Sequence, residues 1–323
     1  MITFSIKDHV REMNTQNFDL QQSIYIAANL YNSEKILPTF TKNLIQISKL
    51  FLSANKYNRV FISIFENGST DHTKTLLLNF KKELEKLNIP HNIRISEDPK
   101  AFFRRIPYLA KVRNEVLNDL GSFRYDKVLF LNDIIFKIED VLKLLSLKDT
   151  DAVCGLDFTY RFYDIMVTRD NVTFPYPVSG VPPYFFDPVK WKLFKKNKLI
   201  PVFSCWNGLV VFKSDIFEKI KFRSLHPLKT NLGYEASECC LIFSDMHKFN
   251  RTRIFIDPTV KITYNTPTWL ESIVFYFDKY FLYYFNYPKI PKEGSKEFNN
   301  FELMKKLAIV DGLENEFDLA CVQ

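Results

Sequence analysis

An α/β fold with a mostly parallel, twisted sheet flanked by helices is the class this sequence predicts. Three observations predict it. Short apolar runs alternate with segments of helical spacing through the first half of the chain. Turn and cap residues separate the two kinds of segment, as in Glu66-Asn67-Gly68-Ser69-Thr70-Asp71. Several apolar runs stop on an acid or an amide, most plainly Lys127-Val128-Leu129-Phe130-Leu131-Asn132-Asp133. A βαβα order calls for parallel strands with helices on both faces. In such sheets ligands sit off the carboxyl ends of the strands.

Taken in order, Ser23 to Ala28 reads as a first buried strand. Phe40, Leu44, Ile47 and Phe51 follow at helical spacing, with Pro38 near the helix start, where its missing N–H costs nothing. Arg59 to Phe65 is the second strand, and Leu77, Phe80, Leu84 and Leu87 mark the next helix face. Residues 106–120 form a third helix, with Leu109, Val112, Val116 and Leu120 inward. The strand ending at Asp133 comes next, then a short helix from Val141 to Leu147 and a strand, Asp151 to Asp157, that again closes on an acid. From 158 to 200 the chain is irregular and Pro-rich, which reads as long loops over the sheet. Val202–Phe212 and Arg253–Tyr264 are further strand-like runs. Three parts result: an N-terminal extension over 1–22, a main domain over 23–265, and a helical C-terminal extension over 266–323 packed on it.

The 323 residues suffice for a full core, and 46% hydrophobic against 25% charged is an ordinary globular balance. Aromatic residues are abundant, with 32 Phe and 16 Tyr, which suits a Phe-filled core and is compatible with sugar platforms. The net charge of +7 comes from scattered Lys and Arg, without a basic tract or a nucleic-acid module, so no nucleic-acid partner is expected. Five Cys lack metal-ligand spacing and read as small buried residues, Cys154 and Cys240 most clearly; one bridge stays open. Residues 1–22 show no signal peptide, and no apolar run is long enough for a membrane span. Ser272–Pro288, interrupted by Asp278-Lys279, reads as a packed aromatic helix or a membrane-surface one.

Chemistry concentrates at the strand ends. Asp133 is placed to hold a divalent cation that grips nucleotide phosphates. Glu66 and Asn67 offer acceptors to a base or ribose, and Asp71 belongs to the same cap cluster. Arg105 and Arg113 stand about 80° apart on a helical wheel, which lets both face one phosphate-bearing crevice. Trp206-Asn207-Gly208 offers a stacking face and hydrogen bonds to a sugar, and Asp157, Asp164, Arg169 and Asp170 are spaced through the preceding loop. Glu238, an acid among small and apolar residues after Ser237, is either a functional carboxylate or part of an N-cap box. His226 and His247 are candidate metal ligands, but the rarity of His argues against a His-based triad.

The segments IAANLYNSEKILP, FISIFENGSTDHT, RIPYLAKVRN, DKVLFLNDIIF, AVCGLDF, YDIMVTRD, FSCWNG and ASECCLIFSDM occur in this order. Together they resemble glycosyltransferase family 69, the fungal capsule-associated α-1,3-mannosyltransferases, over residues 22–265. The resemblance implies a GT-A fold, a GDP-mannose donor, a mannose-bearing glycan acceptor, retention of anomeric configuration, and Mn²⁺ or a similar cation. It places Glu66, Asn67 and Asp71 near the nucleotide, and Arg105 and Arg113 near ribose or phosphate. Asn132 and Asp133 stand where most GT-A enzymes have Asp-x-Asp, so metal grip rests on Asp133. Trp206, Asn207 and Glu238 face the sugars, with Gly208 and Asp164 on the acceptor side, and Glu238 or Asp157 supplies the catalytic carboxylate. Golgi membrane association is common in the family. The resemblance therefore implies the Golgi or a secretory-pathway lumen; no anchor or signal is seen, so the cytoplasm is the alternative. Sequons at Asn67, Asn171 and Asn250 permit a lumen. A nucleotidyltransferase-like enzyme and a non-catalytic glycan-binding scaffold are the rival readings.

Overall fold

The computed structural model describes residues 18, 20–96, 104–157, 162–170, 184–185, 187–225, 235–264, 303, 306, 309 and 315–322. The Ser272–Pro288 helix, Asn171, His226 and nearly all of both expected extensions lie outside these residues.

Eight strands form one sheet in the order β3-β2-β1-β4-β7-β5-β8-β6. They are β1 (Ile24–Leu30), β2 (Val60–Glu66), β3 (His91–Ile95), β4 (Lys127–Leu131), β5 (Ala152–Asp157), β6 (Ile200–Pro201), β7 (Leu209–Lys213) and β8 (Ile254–Ile262). Strands β3, β2, β1 and β4 run parallel, as do β5 and β8. Strand β7 lies antiparallel between β4 and β5, and the short β6 is antiparallel at the edge.

Helices with described bounds are α1 (Leu37–Ala54), α2 (Thr73–Lys86), α3 (Arg105–Glu115), α4 (Ile138–Ser146), α5 (Pro188–Lys195), α6 (Glu238–Lys248) and the single turn α7 (Glu316–Leu319). Alternate β1 residues feed opposite sides of the sheet. Ile24, Ile26 and Ala28 join the core under α1, α2 and α4, whereas Tyr25 and Ala27 join the core shared with α3, α5 and α6. Burial of both strand faces is the reason these runs read as continuously apolar. Among the described residues no helix is long and apolar enough to cross a membrane.

Three expectations are corrected, and one strand was not foreseen. The run Val202–Phe212 is not one strand, because Asn207 and Gly208 take left-handed backbone angles (φ 53° and 72°) that end the extended stretch ahead of β7. Strand β3 is an edge strand of mixed polarity, HNIRI, and carries no apolar run to announce it. The Pro-rich 158–200 stretch contains α5, capped by the Asp187 side chain on Val189 N–H (2.8 Å) with Pro188 in the first turn. Four of the five cysteines are not thiols: Cys154 pairs with Cys205 and Cys240 with Cys321, and Cys239 stays a buried thiol. The first bridge ties β5 to the FSCWNG turn, and the second ties α6 to the turn after α7.

Candidate active site

The parallel strands deliver their carboxyl ends to one edge, where Leu30 is in register with Glu66, Ala28 with Leu131, and Asp157 with Ile262. Asn132 and Asp133 leave β4 at this edge, opposite the Gly208 turn whose carbonyl accepts from Asn132 N–H (2.9 Å).

Asn132 is a hub. Its Oδ1 accepts from Arg113 Nη1 and Trp206 Nε1 (3.2 Å each), and its Nδ2 donates to the Tyr264 hydroxyl (3.1 Å). Both oxygen lone pairs are thereby used, which leaves none for a cation. Arg113 in turn donates through Nε to Glu238 Oε1 (2.8 Å), with Glu238 2% and Arg113 9% exposed. The guanidinium lies 4.2 Å from the Trp206 ring centroid. Glu238 occupies the first position of α6, where an acid suits the helix dipole, and Ser237 caps the same helix by accepting from Cys239 N–H (3.2 Å). The cap reading of this segment is met by Ser237, and the Glu238 carboxylate is taken up by Arg113.

This arrangement revises several expectations. Arg105 is exposed whereas Arg113 is buried, so the two do not share a crevice. Trp206 is 2% exposed beneath Arg113 and against Phe130 and Phe222, and offers no face to a sugar. The Asn207 side chain is fully buried, donating to Gly155 O (2.7 Å) and accepting from Thr168 Oγ1 (3.0 Å). Gly208 serves shape: a Cβ there would stand 2.8 Å from the Tyr264 hydroxyl oxygen and 2.9 Å from Ile134 Cγ2. Arg169 is buried on the carbonyl of Ala320 (3.1 Å), and Asp170 pairs with Lys190 (2.6 Å). His247 Nε2 sits 3.0 Å from Phe203 O, its ring packed against those of Phe203 and Phe317, so that nitrogen is not offered to a metal.

A second cluster surrounds Tyr264. Asp157 is fully buried; its Oδ1 accepts from Asp164 N–H (3.2 Å) and its Oδ2 has no partner. Asp164 Oδ2 accepts from Asn207 N–H (3.0 Å). Burial, and then the Asp164 charge, lift the Asp157 carboxyl well above the usual range. Burial also lifts Asp164 to about 6, against the Asn207 N–H and the Arg113 charge. Burial and the negative charges of Asp157, Asp164 and Asp133 likewise push the Tyr264 hydroxyl up. Sequence reading passed over Tyr264; its one signal was a hydroxylated ring closing the last strand-like run.

At the other end of the edge, two loops are laced together. Asn32 N–H donates to Ser69 Oγ (2.8 Å), Ser33 N–H to Thr73 Oγ1 (2.7 Å) and Glu34 N–H to Asp71 Oδ2 (3.1 Å). Asp71 also accepts from Thr73 N–H (3.0 Å), so it braces the turn. Burial pushes the Asp71 carboxyl up, and these hydrogen bonds outweigh it and hold the group below its ordinary value. On this shelf Glu66 is fully buried, with Oε1 accepting from Ser69 N–H and Oε2 without a partner. Asn67 is 5% exposed and its Oδ1 also lacks a partner. Buried acceptors without donors are rare in a finished core and suit a ligand rich in N–H or O–H groups.

Among the described residues no three His, Cys, Asp or Glu side chains gather as a metal cage. The half-buried Asp133 instead fits a cation shared with a substrate, which commonly takes one or two protein carboxylates and the rest from phosphates. A cavity of about 670 Å³ lies at the opposite end of β4 and β7, lined by residues including Leu117, Arg124, Tyr125, Phe217 and Lys221, and is separate from this chemistry.

A model of the family described as Cryptococcal mannosyltransferase 1 matches residues 23–245. The chain belongs to that family, and so to the glycosyltransferases. No curated protein matches the chain. Among solved structures it is similar to the mannosyltransferase PcManGT from Pyrobaculum calidifontis in complex with GDP-Man and Mn²⁺, at 12% identity and a TM-score of 0.41, over 97% of this chain and 78% of that one. A likeness that low carries nothing further about the site.

Proposed function

We propose that the chain moves a mannosyl residue from GDP-mannose to a hydroxyl of a mannose-containing glycan, forming an α-1,3 linkage with retention on a GT-A scaffold. The observation that carries this reading is the shelf of unpartnered buried acceptors, Glu66 Oε2 and Asn67 Oδ1, on the same strand edge as Asp133. Glu66 and Asn67 accept hydrogen bonds from the base or ribose. Asp133 is the residue that would hold Mn²⁺ or a similar ion, which when bound offsets charge on the leaving diphosphate. Asn132 does not bind the donor directly. It fixes the backbone from which Asp133 projects, and Arg113 serves the same end.

In the reaction the bond from the anomeric carbon to the diphosphate oxygen breaks. A bond from that carbon to the acceptor oxygen forms, and the acceptor proton leaves with GDP. Of the two candidate carboxylates, Glu238 is committed to Arg113. Asp157, with an oxygen still unpartnered, is the one placed in the chemistry. Two disulfides support maturation in an oxidising compartment, in keeping with a secretory lumen.

The test is direct. GDP with Mn²⁺ should raise the melting temperature by about 5 °C at 100 Kd, given roughly 2.7 kcal/mol of linkage and about 2 °C per kcal/mol for a chain of this size. UDP and CDP should do less. Asp133→Ala should lose Mn²⁺-dependent protection and transfer while keeping the wild-type fold. A wild-type protein indifferent to all three diphosphates would overturn the reading.

A further inference from the structure

Tyr163 is 63% exposed and Met166 48% exposed, although their neighbours Phe162, Val167 and Arg169 are buried. The segment is anchored as well as packed. Tyr163 N–H donates to Asp157 O (3.2 Å), Ile165 N–H to Tyr163 O (2.9 Å) and Thr168 N–H to Asp164 O (3.3 Å). A short turn pinned this firmly presents two large apolar side chains to solvent at the mouth of the candidate site. The Tyr163 ring lies 5.5 Å from that of Tyr264, tilted by 57°, and the Tyr264 hydroxyl meets Asn132. The exposed ring is therefore continuous, through one aromatic contact and one hydrogen bond, with the strand end that carries Asp133. Its neighbour Asp164 is half-buried, with Oδ2 accepting from Asn207 N–H (3.0 Å).

From this placement we infer that Tyr163 is the platform of an acceptor subsite, taking the apolar face of one hexose ring of the acceptor glycan, with Met166 beside it. A hexose has one face of C–H groups and a rim of hydroxyls, which matches a flat ring set next to acidic oxygens. The inference rests on the transferase reading for the role of the bound sugar. It does not rest on it for the binding itself.

The experiment has two arms. Saturation-transfer NMR with an α-1,3-linked mannobiose, on protein without donor, should show contacts in the wild type that Tyr163→Ala abolishes and Tyr163→Phe retains. In steady-state transfer, Tyr163→Ala should raise KM for mannobiose about tenfold or more, the effect of losing one good aromatic contact, while GDP-induced thermal protection is unchanged. Tyr163→Trp should stay within about threefold of wild type, because the ring face is kept. Equal mannobiose binding by the wild type and Tyr163→Ala overturns the subsite. So does a KM rise accompanied by lost GDP protection, which marks a collapsed turn. Mannobiose binding that depends on Tyr163 in a protein showing no transfer would refute the transferase reading and leave the platform standing.

Discussion

Replacing Glu238 by Gln tests the centre of the site most sharply. The substitution keeps the size and one acceptor oxygen but leaves the Arg113 guanidinium buried without its counter-charge. Arg113 would then face Asn132 Oδ1 at 3.2 Å and the Trp206 ring at 4.2 Å, both uncharged. Breaking a buried ion pair from one side costs about 3–5 kcal/mol, and the retained hydrogen bond points to the lower end. At about 2 °C per kcal/mol for a chain of this size, a loss of about 3 kcal/mol lowers the melting temperature by about 6 °C. Calorimetry on the single variants and on Arg113→Met/Glu238→Gln completes a double-mutant cycle. The double variant should recover much of the loss, with a coupling energy of about 1–3 kcal/mol. A change below about 1 kcal/mol in Glu238→Gln, the range of exposed pairs, would refute the reasoning. So would strict additivity in the cycle. Lost turnover with unchanged stability would instead return Glu238 to the chemistry.

Other predictions concern the frame around the site. Asp157 and Asp164 bind a proton more tightly in the folded state, so their contribution to stability is full at low pH and drains away as pH rises from about 4, the ordinary carboxylate value, through Asp164's folded value near 6. Melting followed from pH 4.5 to 8 should show this decline, and Asp164→Asn should flatten it; an unchanged slope speaks against the buried pair. Gly208→Ala meets both a positive φ of 72° and a 2.8 Å contact with the Tyr264 hydroxyl, so a loss of about 2 kcal/mol or more is expected in urea unfolding, and a neutral result would contradict the turn. Thiol titration of the unreduced, denatured protein should count one free Cys, with Cys239 modified. Each bridge, closing 51 or 81 residues, contributes about 4 kcal/mol by loop closure. A count of five thiols would remove both bridges.

Much of the layout was legible before any coordinates. Period and punctuation placed β1, β2, β4 and β5, and the helices between them, because strands buried on both faces write unbroken apolar runs. The strand-end logic singled out Glu66, Asn67, Asp133 and Asp157, since a polar residue ending a core strand has few structural reasons to be there. What escaped was written in partners rather than in runs. Strand β3 carries mixed polarity, α5 is short and set among prolines, and Tyr264 acquires meaning only through Asn132.

Sequence alone determined the strands β1, β2, β4 and β5, the edge where their carboxyl ends gather, and the acids at those ends, all of which follow from local period and from the cost of burying charge. Tertiary structure decided which of those groups stay available. It set Arg113 inside against Glu238, turned Trp206 and Asn207 from presumed sugar contacts into supports, saturated Asn132, and joined cysteines 51 and 81 residues apart. The physical reason is that a side chain's chemistry depends on what occupies its donors and acceptors. Those partners arrive from α3, from α6 and from the end of β8, and Arg113 and Glu238 stand 125 residues apart in the chain.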